Sequence, residues 1–506
     1  MRFNVLIGGK AGQGVNILAH TLGRALIRKG FYVFYSREYQ SLIRGGHNFN
    51  ALTFSNEYVN SNDSKIDLLI ALDENTANIH RRHINKETII LSGKEVNMHF
   101  AGRLFKIIGL EFELLETELK IIEKRFEENL KEAREGYEEE NQMFDMSIEA
   151  PKPHVLESED KFFRNGSKGI SEGAIKSGLD VYYAYPMTPA TAVMNDIAEK
   201  QIENNLLAIE LENEIAVANA AVGSAITGAK AMVGTSGGGF DLMTETLSLV
   251  GIAEVPIVFY LSQRPGPGTG AATYQAQGDL NIARHAGHGE FPRVVLAPGD
   301  SKEAEELTNQ AFYFSQKFQI PAIILGDKHL AESFYTTEGK SKLMISKKAT
   351  ALGRYNSYEK DSQGCATENP ETIIKNFKAR KNKQSLIEQE SNIFEKYKVY
   401  GKEDSENVVI GWGSTKGAIL DAVECGLDAK FIQILYIEPF PKEDIWRELL
   451  GKNLILVENN STGQLGDLIK EKSGFNVPAK NRILRFDGRP FLKDELENEI
   501  KIRLKK

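Results

Sequence analysis

The chain has 506 residues and a formal net charge of −8. That length holds about three domains, each able to bury a core of its own, and the acidic balance excludes nonspecific nucleic-acid binding, which needs a basic surface to displace counterions. Two cysteines, Cys365 and Cys425, exclude a disulfide framework and a four-thiolate iron-sulfur or zinc site within the chain.

No run of about twenty apolar residues offers to cross a bilayer, and residues 1–9 lack the basic region, long apolar stretch and cleavage site of a signal peptide. A soluble protein of the reducing cytoplasm, with no membrane or nucleic-acid partner, is the expectation.

From residue 3 to about 100, strand-like runs at 4–7, 32–35, 68–72 and 88–92 alternate with helical patterns such as 15–29, which predicts a parallel sheet covered by helices. Between the first strand and the first helix stand Gly8-Gly9-Lys10-Ala11-Gly12-Gln13-Gly14. Glycines there let backbone amides approach an anion, and the helix amino end adds a favourable dipole. The spacing Gly9, Gly12, Gly14 departs from the dinucleotide fingerprint, because position 17 is Ile, so a structural tight turn competes evenly with a phosphate site. Arg44-Gly45-Gly46-His47 is a second glycine turn. The acid- and base-rich stretch 111–140 carries Leu114, Leu115, Leu119, Ile121, Ile122, Phe126 and Leu130 at roughly helical spacing and reads as a solvated helix that ends a first domain, 1–140.

Periodicity lapses over 141–165, where Pro151 and Pro153 break what remains, so this stretch reads as a linker. A second domain, 166–335, alternates again: helix 169–178, strand 180–184, helix 210–227, and strands 230–234, 256–261 and 321–325. Residues 336–405, rich in Lys, Ser, Asn and Glu, read as an irregular connection. A smaller third domain, 406–506, shows strand 407–411, helix 416–425, and strands 429–436 and 453–458. The fold class is therefore α/β, with three three-layer parallel-sheet domains.

Loops of the second domain carry the candidate chemistry. Tyr185-Pro186-Met187-Thr188-Pro189 follows a strand directly, and two prolines stiffen the backbone that presents the Thr188 hydroxyl at the carboxyl end of a parallel sheet, where such sheets bind ligands. Glu214 opens an Ala- and Val-rich helix. An acid in a first turn suits the helix dipole, yet a carboxylate at the edge of a small-residue apolar helix is also the setting in which one is put to chemical use. Thr235-Ser236-Gly237-Gly238-Gly239-Phe240 and the loop from Gln263 and Arg264 through Thr273 each follow a strand and should emerge on the same rim, with Arg264 offering a planar fork for a carboxylate. His285 and His288, separated by Ala286 and Gly287 in a glycine loop, lack a third ligand nearby, so no metal site is assigned.

These residues together resemble the alpha subunit of 2-oxoacid:ferredoxin oxidoreductases, in order, spacing and strand context: Tyr185 through Pro189, Glu214 with its Asn-Glu-Ile-Ala-Val run, Thr235 through Phe240, and Arg264 through Thr273. The likeness extends to Gln277-Gly278-Asp279-Leu280 and to Gly289 through Arg293. Met187 stands where the family commonly has isoleucine, a volume-conserving exchange. Residues 1–140, with the Gly9 to Gly14 loop, are similar to the family's gamma subunit, and residues from about 407 onward resemble the transketolase C-terminal-like domain that follows the pyrimidine-binding domain in these enzymes.

The resemblance implies a gamma-alpha fusion that contributes to a thiamine diphosphate site. In that family a buried glutamate hydrogen-bonds the aminopyrimidine ring and drives loss of the thiazolium C2 proton, a role the resemblance gives to Glu214. It gives Gly237 and Gly238 to cofactor binding, and Thr188, Arg264, Thr273, Tyr185 and Pro186 to substrate binding. The loop with Gly9, Gly12, Gln13 and Gly14 becomes a candidate site for a coenzyme A phosphate. The Gly-Asp-Gly signature for magnesium and diphosphate is missing, because Gly278-Asp279 continues with Leu280 and Phe486 precedes Asp487-Gly488. A separate beta subunit is thus expected to hold Mg2+, the diphosphate and the iron-sulfur cluster, in a dimer of heterodimers that passes electrons to ferredoxin. 2-Oxoglutarate is the first expected substrate and pyruvate the second. The alternative is a non-catalytic nucleotide-binding or regulatory subunit, and Glu214 discriminates, because a relic without turnover need not keep a carboxylate there.

Overall fold

The apolar run at 4–7 becomes the centre of a nine-residue strand, β1 (Arg2–Lys10), in the computed structural model. The structure describes residues 2–40, 46–93, 97–122, 125–141, 161–351 and 354–504; Arg44 and Gly45 of the second glycine turn and residues 142–160 of the expected 141–165 linker lie outside the described residues, and the end of that linker, Lys161–Asn165, is a strand. The chain packs as two compact units: Met1–Arg164 with Ser333–Lys340 and Phe491–Asn498, and Asn165–Glu332 with Ser341–Pro490 and Glu499–Lys506.

In the first unit β1 joins β2 (Tyr32–Glu38), β3 (His47–Ser55), β4 (Leu68–Ala71), β5 (Ile89–Ser92), β6 (Lys161–Asn165) and, from late in the chain, β13 (Phe334–Glu338). Their order is β5-β4-β1-β3-β2-β13-β6. β1, β4 and β5 run parallel, as the alternation predicts, but β1 with β3, β3 with β2 and β2 with β13 run antiparallel. This sheet is therefore mixed rather than parallel. The connection 39–46 between β2 and β3 is too short for the crossover that a parallel neighbour requires. The charged stretch 111–140 also differs from its reading as one solvated helix. It forms two helices, Phe112–Ile122 and Phe126–Glu139, with Phe112, Leu115, Leu119 and Ala133 buried. A Cβ on Gly136 would lie 2.1 Å from the His99 carbonyl oxygen, so only glycine permits the second helix to pack where it does.

The second unit holds two further α/β sheets. One is formed by β7 (Val181–Ala184), β8 (Leu207–Glu210), β9 (Ala231–Thr235), β10 (Ile257–Gln263), β11 (Val294–Leu296), β12 (Pro321–Asp327) and β17 (Tyr436–Glu438), in the order β17-β11-β12-β10-β9-β7-β8. All pairs are parallel except β11 with β17. The other contains β14 (Tyr397–Gly401), β15 (Asn407–Trp412), β16 (Lys430–Ile434), β18 (Asn453–Glu458) and β19 (Arg482–Leu484), parallel except at β14.

The expected single strand at 429–436 is divided between them. β16 serves the smaller sheet, and after Leu435, whose carbonyl accepts from Ala297 N at 2.8 Å, β17 joins the larger one. One apolar core consequently runs through both, joining Val295, Ala297 and Ile323 to Ile410, Trp412, Ile432 and Ile437.

Residues 336–405 are not uniformly irregular, since they contain the 21-residue helix Pro370–Glu390, whose N-cap Asn369 accepts from Thr372 N at 2.8 Å with Pro370 at the first position. Only Arg380 and Ile387 of that helix are buried, so it carries no apolar stripe that could be read from sequence. Among the described residues no helix is long and apolar enough to cross a membrane.

Candidate active site

β7, β9 and β10 are parallel neighbours in register, with Ala184 opposite Gly234 and Thr235 opposite Leu261. The loops that leave them, from Tyr185, Ser236 and Arg264, emerge on one rim, the carboxyl end where open α/β sheets bind ligands. Tyr185 and Pro186 are exposed there and Thr188 is half-buried. Arg264 Nη1 donates to the Thr188 carbonyl oxygen at 2.7 Å, so two of the three loops are tied directly together.

Glu214 is the first residue of helix Glu214–Ile226, entered through Asn213, whose side chain accepts from Ala216 N at 2.9 Å. The glutamate is 4% exposed, and its carboxylate makes no hydrogen bond among the described residues. The space it occupies is left by the helix Gly237–Ala253. A Cβ on Gly239 would sit 2.8 Å from Glu214 Oε1 and 2.2 Å from Thr235 Oγ1.

Gly237 does the same for a second acid, since a Cβ there would sit 2.6 Å from Asp279 Oδ2. A Cβ on Gly238, between them, would meet only the Gly268 carbonyl oxygen, at 3.6 Å. The glycine run thus admits two carboxylates to the first turn of a 17-residue helix and leaves backbone bare between them.

Three polar atoms on this rim are buried without a hydrogen-bond partner: Arg264 Nε, Asp279 Oδ2 and Ser236 Oγ. Burial pushes the Asp279 carboxyl up to about 6, Asp241 adds to the shift, and Arg264 opposes it. Burial lowers the Arg264 guanidinium below its ordinary value, and the charges of Asp279 and then Glu214 act against that loss. The Arg264 charge thus acts through space on both carboxylates, without an ion pair to either among the described residues.

Thr273 is buried farther along the Arg264 loop. That loop is held from the smaller sheet: Gln275 N donates to the Gly488 carbonyl at 3.0 Å, and Arg489 lies 4.3 Å over the Tyr274 ring. Gln277 is anchored most fully. Its N donates to Asn459 O at 2.8 Å, its Nε2 to Trp412 O at 3.0 Å, and its Oε1 and carbonyl accept from Asn459 and Asn460. This anchoring fixes Asp279, two residues on.

Asp279 and Gly239 carry no role in the sequence reading. An aspartate just before the short helix Leu280–His285 looks like a cap, yet its side chain caps nothing. His288 uses its carbonyl to accept from Ser248 Oγ at 2.9 Å.

The glycine loop of the first unit is described by itself. Gly12 and Gly14 have φ of 92° and 82°, the left-handed region that favours glycine. Gln13 closes the loop, accepting from Lys10 N at 2.6 Å and donating to Leu72 O at 2.8 Å, so its side chain is committed to backbone. A Cβ on Gly9 would meet Gln13 and Leu72, one on Gly14 would meet Asn97, and one on Gly12 would meet nothing within 4 Å.

The fold is of the open α/β class, and its second sheet gathers a buried acid, a guanidinium and a glycine-led helix end on the carboxyl rim, the edge where such sheets bind ligands. The family model described as pyruvate flavodoxin/ferredoxin oxidoreductase, thiamine diphosphate-binding, matches residues 172–404, and that of pyruvate ferredoxin/flavodoxin oxidoreductase matches residues 4–96. The chain is 28% identical to the 2-oxoacid:ferredoxin oxidoreductase subunit alpha of a Sulfolobus species, over 99% of this chain and 96% of that one. It is 29% identical to the corresponding subunit of Saccharolobus solfataricus, over 99% and 98%. It is also 29% identical to the 2-oxoglutarate synthase subunit KorA of Methanocaldococcus jannaschii, over 67% of this chain and 98% of the relative. Its fold is that of the 2-oxoglutarate:ferredoxin oxidoreductase of Magnetococcus marinus, solved with 2-oxoglutarate, coenzyme A and succinyl-CoA bound, with a TM-score of 0.89, complete coverage of both chains and 23% identity. The chain belongs to the 2-oxoacid:ferredoxin oxidoreductases, as an alpha subunit, and is an oxidoreductase.

Proposed function

We propose that this chain is the fused gamma-alpha subunit of a cytoplasmic enzyme that oxidatively decarboxylates a 2-oxoacid to its acyl-CoA and CO2, with electrons passing to ferredoxin. 2-Oxoglutarate is the first candidate substrate, supported by the names of the KorA relatives, and pyruvate is the second. The observation that carries the reading is the Glu214 carboxylate, buried at a helix end in a space that only a glycine at position 239 leaves open, with no hydrogen bond from its own chain among the described residues.

Those residues fit the aminopyrimidine half of thiamine diphosphate, which supplies an electron sink for decarboxylation when bound. Glu214 exchanges a proton at its carboxylate with a ring nitrogen, in a setting dry enough for that bond to be strong. Gly237 and Gly238 keep side chains off the first turn of their helix, so the backbone can approach a ligand. Arg264 grips the substrate carboxylate through its free guanidinium edge, while Thr188, Thr273, Tyr185 and Pro186 shape the pocket around it. In the first unit Gly9, Gly12 and Gly14 form the turn offered to a coenzyme A phosphate, and Gln13 braces it. Mg2+, the diphosphate and an iron-sulfur cluster belong on a beta subunit, because two cysteines cannot supply the four thiolates of a ferredoxin-type cluster; the assembly is a dimer of heterodimers.

The test is Glu214→Gln in the complex reconstituted with its beta subunit. Decarboxylation of 2-oxoglutarate and pyruvate, followed with a viologen dye, should fall by at least two to four orders of magnitude, roughly the worth of a general acid-base group, with assembly unchanged. Turnover equal to wild type would remove Glu214 from the chemistry.

A further inference from the structure

Asp487-Gly488 lacks the glycine that would open a Gly-Asp-Gly run, and the fold gives the pair another use. After β19, residues 485–489 form a bend at the carboxyl end of the smaller sheet. The Asp487 carboxylate closes that bend, accepting from Arg489 N at 2.9 Å and from Arg485 Nε at 3.1 Å. Asn459 Nδ2, from the loop after β18, donates to Arg489 O at 3.0 Å. The Arg489 backbone is therefore held at both its amide and its carbonyl, and its guanidinium stands 4.3 Å over the Tyr274 ring.

Tyr274 belongs to the loop that carries Arg264 and Thr273. One end of this loop is fixed where it leaves β10, since Gln263 Nε2 donates to Gly326 O at 2.9 Å, and the other is fixed at the buried Gln277. The middle, residues 266–270, is exposed and includes Gly266, Gly268 and Gly270, so it has little packing of its own to set its place. Its backbone turns back on itself, with Ala271 N donating to Pro265 O at 3.2 Å and Tyr274 N to Ala271 O at 3.1 Å. The hold from the smaller sheet falls immediately after Thr273. Gln275 N donates to Gly488 O, and a Cβ on Gly488, whose φ is 79°, would lie 3.2 Å from Tyr274 Cβ. The two sheets already share one apolar core, and Gln277 is bonded through its N, O, Oε1 and Nε2. A guanidinium over Tyr274 is not needed to join them; what it restrains is the loop.

We infer that Arg489 is a positioning residue for the 2-oxoacid: through the Tyr274 ring it sets where Arg264 and Thr273 stand on the rim. The smaller sheet thereby governs substrate affinity through a loop of the larger one. The inference rests on the proposed function, which gives Arg264 and Thr273 to the substrate. No bond forms or breaks and no proton moves; the effect is on how firmly the binding position of the loop is held in advance.

In the complex reconstituted with its beta subunit, Arg489→Ala should raise KM for the 2-oxoacid about two- to thirtyfold, the range that a cation over an aromatic ring is worth. Because the contact adds to binding rather than to the chemical step, kcat should change by less than about twofold. Tyr274→Leu should act in the same way, and the double variant should be no worse than either single one, since each removes the same contact. Arg489→Lys and Tyr274→Phe keep a cation over a ring and should restore most of the affinity, which a role in packing alone would not predict. Backbone hydrogen exchange, read without turnover, should quicken at residues 264–275 in the Ala and Leu variants while the rest of the chain keeps its protection. Should one variant fail to fold, the other reads the same contact from the opposite side. Unchanged exchange in the loop would overturn the inference and leave the proposed function standing. Faster exchange with KM unaltered would also overturn it, and would take the loop out of substrate binding. A wild-type complex that turns over no 2-oxoacid would bring down the proposed function, and the inference with it.

Discussion

Glu303, on the helix Ser301–Phe318, and Asp279, on the rim, are both buried acids of the second unit, but their surroundings differ in kind. Glu303 accepts from Gly299 N at 2.8 Å, Gln433 Nε2 at 2.6 Å, Lys416 Nζ at 2.6 Å and Lys398 Nζ at 2.9 Å, and Asp300 pairs with the same Lys416. Burial works against its charge, yet the two lysines hold the carboxyl well below the ordinary range. Lys416, also buried, is held well above its own range by Asp300 and Glu303 against the same burial. At the rim, by contrast, Arg264 Nε, Asp279 Oδ2 and Ser236 Oγ lack partners, and the Asp279 carboxyl is pushed up, not down. A buried polar group that has every partner joins parts of the fold, whereas the rim acid lacks partners for one of its carboxylate oxygens.

Removing a partner from the satisfied cluster should therefore cost stability and little else. Lys416→Met leaves Asp300 and part of Glu303 uncompensated, and unfolding by denaturant should show a loss of about 3–5 kcal/mol. The sign with pH follows from the lowered Glu303 carboxyl. Its contribution is present above the unfolded carboxylate value and is lost as pH falls, so the wild type should converge on the variant in acid. A variant as stable as wild type at neutral pH would break the contrast.

Crowding the rim should have the opposite profile. Gly239→Ala would place a Cβ against Thr235 Oγ1 and the Glu214 carboxylate, and turnover in the assembled complex should fall by roughly a hundredfold, the scale expected when a reacting group moves by about 1 Å. Its melting temperature should move little, since alanine is the better helix former. A large fall in melting temperature with turnover intact would mean that the glycine serves packing alone.

The smallest effect sharpens the comparison most. The Asp279 carboxyl lies above its unfolded value, so whatever stability the folded state gains from it exists at low pH and is lost as pH rises through about 6. Asp279→Asn should raise the melting temperature at pH 8, by a few degrees at most, and change it less at pH 5. A destabilised variant at pH 8 would place Asp279 with Glu303 as a structural acid.

Much of the rim was legible because its ingredients are local. A strand followed by two prolines, a strand followed by three glycines and a strand followed by an arginine loop each report where a parallel strand ends, and parallel neighbours bring those ends together. Glu214 stood out as an acid on an otherwise apolar helix. Asp279 did not, because an aspartate before a helix is usually a cap, and only the folded chain shows that its side chain caps nothing and lies against Gly237 instead. Gly239 was hidden inside a run whose members do different things. β3 and the helix Pro370–Glu390 escaped for a related reason: the antiparallel pairing of β3 is set by a short connection, and the helix is polar on nearly every face.

Local pattern alone, then, determined that this chain is α/β and that the loops after strands of the second sheet carry its candidate chemistry. Tertiary structure decided which acids are buried on the rim, which glycines make room for them, and that the last two sheets have one core. The reason is physical: periodicity and turn chemistry act between residues a few positions apart, whereas desolvation and charge depend on neighbours that only packing brings within reach.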